Sequence, residues 1–199
     1  RTTIYVTLGS LIFSLILSIP LAMIKITKNK ILNFIGFLYT DIFRALPSLV
    51  QIYLVYFAAP QLFGITFTAM TSAFITLSMN AAAYISEALR GGILSVDIGQ
   101  REAAKALGIS QVDTLKDIVL PQALKAVFPS MINETIGLLK GTSLVSIIGV
   151  VDLMRASRQV MADSYLSFEP LMVAAVIYYI LVKSMSMIGN RLEKRIRVS

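Results

Sequence analysis

The sequence predicts an all-α membrane protein with five transmembrane helices, and three observations carry that expectation. First, 56% of the 199 residues are hydrophobic and mean hydropathy is +0.77, while only 15% are charged. Soluble domains hold about 45–50% apolar and roughly 25% charged residues, so a fold of this size could not hide so much apolar surface from water. Second, apolar runs long enough for the roughly 30 Å of a bilayer's hydrocarbon core alternate with short polar intervals. Third, the basic residues behind the net charge of +7 gather at the ends of those runs. Membrane orientation requires that placement and nucleic-acid binding does not. The chain has no Cys and no His, so it offers no disulfide, thiol nucleophile, His-centred metal site or Ser-His-Asp triad.

The first span is expected over 2–25, where no charge stands between Arg1 and Lys25. It reads as a retained helix, because it is too long for a signal-peptide core and no small-residue cleavage pattern follows it. With no Met at position 1, a short leader is expected before Arg1. Gly9, Ser10, Ser14 and Ser18 make one face of small residues on which another helix can pack closely. The next charge-free stretch, Ala45 to Ser86, is broken by Pro60 and Gly64. It is read as the greater part of two spans, 31–59 and 67–89, joined by a turn. A fourth, less apolar span is expected over 123–149, carrying Lys125, Glu134 and Lys140, and a fifth over 170–188 before a basic tail ending near Arg197. No internal repeat or low-complexity stretch appears, so 1–199 is read as a single domain.

Lys and Arg set the orientation. Lys25, Lys28 and Lys30 lie in the first interval, Arg90, Arg101, Lys105 and Lys116 in the third, and Arg191, Lys194, Arg195 and Arg197 in the tail. With five spans these all fall on one side, which puts the N-terminus outside and the C-terminus in the cytoplasm.

The most informative segment is the cytoplasmic loop 99–121. Glu102 to Leu107 are strong helix formers, and Gly108 can end that helix in a left-handed conformation. Ser110 can cap a second short helix, with Asp113 in its first turn, running to Pro121. Two short helices at an angle make a rigid knob that can transmit force. The spacing Glu102-Ala103-Ala104, three residues, Gly108, nine residues, then Ile118, Leu120 and Pro121 resembles the EAA loop of ABC importer permeases. The stretches Phe43–Gln51, Ala82–Gly92 and Asn133–Leu144 are similar to polar amino-acid permeases of the glutamine, histidine, arginine and lysine type. One departure is Gly141, where such permeases more often carry an acidic residue.

The resemblance implies the type I ABC importer permease fold and a place in the bacterial inner membrane. It also implies that Glu102 and Gly108 are coupling contacts to an ATPase, with Ala103, Ala104 and Leu107 packing the joint. The implied partners are two ATP-binding subunits, a second permease subunit and an extracytoplasmic binding protein. ATP and Mg would sit on the partner, since this chain has no phosphate-cradling glycine-lysine loop. It would hold no cofactor and would not itself be an enzyme.

Charges inside a membrane are costly and usually face a cavity. Glu134 and Asp152 are therefore read as carboxylates offered to the cationic groups of a polar amino acid, basic ones above all. Asn133 is their polar neighbour, and Asn80 and Tyr84 face the same path from the third span. The bland alternatives are an ion pair of Glu134 with Lys140 or Arg44, and plain packing for Asn80 and Tyr84. Glu87 and Arg90 are expected to pair with each other or with the partner, in a gate-like role at most. Two other functions stay open: an ABC permease for another small metabolite, and an ATP-independent channel or secondary transporter.

Overall fold

The computed structural model describes residues 1–198, and the side chains of Arg197 and Val198 lie outside what is described. The described chain is helical almost throughout, with no strand among the described residues. Helix α1 is Thr2–Ile26, α2 is Lys30–Ala45, α3 is Ser48–Phe63, and α4 is Ala69–Ser95. The loop helix α5 is Ile98–Ala106. Then come α6, Gln111–Ile148, α7, Leu153–Ser164, and α8, Phe168–Val198.

Helix α1 packs along α4 and forms the centre of the bundle. Ser10, Ser14 and Ser18 are fully buried in that seam, beside Val6, Ala73, Leu77, Ala81 and Ile85. Ser14 and Ser18 donate their hydroxyls back to the carbonyls of Leu11 and Leu15, which satisfies both in a dry contact, while the Ser10 hydroxyl is buried without a partner among the described residues. The small-residue face of α1 is thus a packing face. Its opposite side carries exposed Ile12, Phe13, Ile16 and Ile19, which water would not tolerate and lipid does. Gly92 sets the approach of α4 to α6. A Cβ there would collide with Val127 and come within 2.9 Å of the Ala123 carbonyl oxygen.

Prolines shape the bundle differently from what the sequence pattern suggests. The stretch 31–59, read as one span, is two helices, α2 and α3, at 105° to each other. Leu46 precedes Pro47 and is extended (φ −83°, ψ 135°), because the proline ring disfavours a helical residue before it. Side chains satisfy the carbonyls this break releases. Gln51 Nε2 donates to the carbonyls of Phe43 and Leu46, both at 2.8 Å. Pro60 and Pro121, in contrast, do not stop their helices. Each follows a π-helical turn, Leu54–Ala58 and Thr114–Val119, in which the Ala59 and Leu120 amides reach back five residues. The wider turn shifts the hydrogen-bond ladder so that the ring and its missing N–H are accommodated. The helix capped by Ser110 therefore does not end at Pro121 but continues through α6 to Ile148.

Among the described residues, Thr2–Ile26 and Phe168–Ile196 are each long and apolar enough to cross a membrane alone, and counting each bent pair as one span gives up to four. Helix α4 has 27 residues, about 40 Å at 1.5 Å per residue, but its Ser, Thr, Asn and Glu side chains make it less apolar. It also runs six residues past the expected end of the third span at position 89.

Candidate functional site: the loop and the interhelical cavity

The loop 97–110 is built by local signals. Asp97 caps α5 by accepting the Gly99 amide at 2.6 Å. Gly108 has φ +74°, and the amides of Gly108 and Ile109 donate to the carbonyls of Lys105 and Ala104, both at 3.0 Å. This paired closure of a helix end needs a left-handed residue after the cap, which glycine supplies at least cost. Ser110 accepts the Asp113 amide at 3.1 Å to open α6. Two side chains root the knob. Arg101 Nη2 donates to the Ile93 carbonyl of α4 at 2.5 Å, and Gln122 Nε2 of α6 donates to Gln100 Oε1 at 2.6 Å. Outward, the loop presents Glu102, Ala103, Gly108 and Leu107, the last 79% exposed. Ala104, expected in the joint, is instead buried within the chain; it fixes α5 to its own bundle and has no free surface to offer.

The second feature is a cavity of about 380 Å³ lined by Arg44 of α2, by Tyr84, Ile85, Glu87 and Ala88 of α4, and by Ser130, Asn133 and Glu134 of α6. Three of the five residues expected to meet substrate, Tyr84, Asn133 and Glu134, are brought together here. Neither alternative ion pair for Glu134 forms: among the described residues its carboxylate pairs with neither Lys140 nor Arg44. The other two are engaged elsewhere. Asn80 Nδ2 donates to the Phe43 carbonyl at 3.1 Å and to Gln51 Oε1 at 3.2 Å, so it braces the break at Pro47. Asp152 is buried and caps α7, accepting the amides of Met154 at 3.1 Å and Arg155 at 2.9 Å. Tyr178 also donates to its Oδ2 at 3.3 Å. The Asp152–Arg155 relation is a capped helix start, with Arg155 Nη1 turned to the Ser146 carbonyl at 3.3 Å.

One buried polar cluster was not legible as such. Lys25 counts in the sequence as a basic residue of the first interval, but its side chain is fully buried. Its Nζ donates to Thr40 Oγ1 at 3.1 Å, Ser86 Oγ at 2.9 Å and Glu87 Oε2 at 3.0 Å, tying α1, α2 and α4 together. Glu87 also pairs with Arg90 at 2.5 Å, as expected from their spacing. The signal that could have found Lys25 is its register with Ser14 and Ser18 on the buried face of α1. Among the described residues no cluster of three or more acidic side chains could hold a metal.

The helical bundle thus carries an exposed, rooted loop helix and an open charged cavity, and known proteins give its class as that of a membrane permease. Residues 6–198 match the family described as binding-protein-dependent transport system inner membrane component. The chain belongs to that family: it is a permease subunit of an ABC transporter, in which a separate subunit hydrolyses ATP. It is 45% identical over 190 residues, 96% of this chain and 87% of the relative, to GlnP of Rickettsia bellii, a protein named for a glutamine transport system permease. It is 40% identical to ArtQ, the arginine transport system permease protein of Bacillus subtilis, over 98% of this chain and 89% of that one. Its backbone matches the crystal structure of an amino acid ABC transporter with histidines at a TM-score of 0.92 and 32% identity, covering 97% of this chain and 90% of the other. The methionine transporter MetNI, in an inward-facing conformation, shares the fold at a TM-score of 0.84 and 20% identity, covering 98% and 93%. The all-helical architecture is that of type I ABC importer permeases.

Proposed function

We propose that the chain carries a polar amino acid, a basic one or glutamine, across a bacterial inner membrane as one five-span unit over 1–199, with its N-terminus outside and the loop 99–121 in the cytoplasm. The names of the relatives support the cargo, and the Lys and Arg distribution supports the orientation. The working assembly has two such permease subunits, two ATP-binding subunits that hold ATP and Mg, and an external binding protein that delivers substrate. Glu102, Ala103, Leu107 and Gly108 meet the ATP-binding subunit directly, and Ala104 anchors their helix.

The observation that carries the cargo reading is Glu134: a carboxylate inside the bundle, without an ion pair among the described residues, in one cavity with Asn133 and Tyr84. Glu134 receives a cationic group of the substrate, its α-ammonium or a side-chain guanidinium or ammonium. Asn80 and Asp152 contribute by holding the helix break and the start of α7 that frame the path. The test is uptake and substrate-stimulated ATPase activity of the reconstituted complex against a panel of amino acids, repeated with Glu134→Gln. Losing a charge-assisted contact should raise the substrate concentration needed for half-maximal uptake by roughly ten- to hundredfold, with melting unchanged. Unaltered uptake by Glu134→Gln, or no stimulation by any amino acid, contradicts the reading.

A further inference from the structure

The first half of α2 closes on a single residue of α1. Of the 16 residues of α2, Gly36 and Thr40 are the buried ones, and both lie on Lys25, one residue before the end of α1. Thr40 Oγ1 accepts the Lys25 ammonium at 3.1 Å. A Cβ at Gly36 would stand 2.7 Å from Lys25 Cγ and 2.9 Å from Ile24 Cγ1, so α2 can lie on that stem only where a side chain is missing. Asn33, on the same face of α2, donates its Nδ2 to the Lys25 carbonyl at 2.6 Å. The ammonium also reaches α4, at Ser86 Oγ and Glu87 Oε2. Thr40 and Ser86 give their own hydrogens to the Gly36 and Ala83 carbonyls, so both face Lys25 as acceptors. All three ammonium donors are used, and the clasp has one geometry.

The next residue of α1 faces the loop. Ile26 packs on Ile93 and Val96 at the end of α4 and on Val119 and Ala123 near the start of α6. This cluster is the root of the loop, since Arg101 of α5 donates to the Ile93 carbonyl at 2.5 Å. Consecutive residues of α1 thus touch the root of the loop and clasp α2. Residues 27–29 join α1 to α2 without helix; so short a link fixes where α2 begins but not the angle at which it lies.

We propose that Lys25 couples α2 to the loop: displacement of the loop reaches α1 through Ile26 and α2 through Lys25, so that α1, α2 and α4 move as one body. Lys25 is a positioning residue, acting through the helices it joins. Without it α1 and α4 still follow the loop, but α2 lags. The inference rests on the reading of the loop as the contact with the ATPase and adds the route by which its motion reaches α2.

The chain has no Cys, so the clasp can be exchanged for a covalent tie. In the triple variant Ile24→Cys, Lys25→Ala, Gly36→Cys the ammonium is gone. Two thiols then stand where a Cβ at position 36 comes within 2.9 Å of Ile24 Cγ1, close enough to form a disulfide. Substrate taken up per ATP hydrolysed is measured on the purified, reconstituted complex, reduced and oxidised, beside the wild type treated in the same way. This ratio does not change when fewer complexes assemble. The reduced variant should hydrolyse ATP while the ratio falls by about fivefold or more, and oxidation should restore most of it. Thr40→Val, which removes one acceptor at nearly constant volume, should lower the ratio by roughly twofold. A wild-type ratio in the reduced triple variant overturns the proposal. So does a loss that the closed disulfide leaves unrepaired, because Lys25 would then act as a charge and not as a tie. If the triple variant does not assemble or its disulfide does not close, Thr40→Val decides alone, and a wild-type ratio there overturns the proposal. Leu107→Asp separates the two readings. Wild-type uptake in that variant fells the loop contact and the route with it, whereas impaired uptake there beside normal ratios in the clasp variants fells only the role of Lys25.

Discussion

The loop and the cavity of this permease are built by opposite means. In the loop, each bend is set by a neighbour in sequence: Asp97 caps two residues on, Ser110 three residues on, and Gly108 closes α5 onto its own last turn. In the cavity, the fixing contacts are distant along the chain. Lys25 reaches Ser86 and Glu87 across 61 and 62 positions, and Asn80 reaches Phe43 across 37. The loop is thus a local structure with its outer face exposed. The cavity is a tertiary structure that fails if the helices framing it move. Damage to one should be separable from damage to the other.

The largest expected effect on the fold comes from Lys25→Met. Breaking a buried ion pair costs roughly 3–5 kcal/mol, and the low end applies here because Arg90 still faces Glu87. The complex should melt markedly lower, and adding Glu87→Gln should recover part of the loss. A melting temperature equal to wild type would show that this cluster does not hold α1, α2 and α4 together. Gly108→Val sharpens the comparison from the other side. A β-branched residue forced to φ +74° stores about 1–3 kcal/mol of local strain. The bundle should stay assembled and bind substrate normally, while ATP-dependent uptake falls. Loss of substrate binding in that variant would mean that loop and cavity are not independent.

The same contrast explains what could be read in advance. The EAA spacing, the glycine stop and the Ser110 cap are all short-range, so the loop helix was legible nearly to the residue. The cavity was legible in part, because Tyr84, Asn133 and Glu134 announce themselves as polar side chains in apolar helices. Asn80 and Asp152 look the same in sequence, but their partners are a helix break and a helix start that no periodicity reveals. Arg44 was visible as a charge but not as a cavity wall, because its place over the Tyr84 ring is a contact between helices 40 positions apart in sequence. Pro121 misled for a related reason: a proline after a π turn continues a helix that the residue alone would end.

The smallest expected effect on the fold belongs to the variant that tests the central claim, that a separate ATPase drives this chain through its loop. Leu107 is 79% exposed on the loop's outer face, so Leu107→Asp should leave insertion, melting and substrate binding as in the wild type. ATP-dependent uptake by the reconstituted complex is the measurement. Burying an unpaired carboxylate in the joint with the ATPase should cut uptake by roughly tenfold or more. Wild-type uptake from Leu107→Asp would contradict the account.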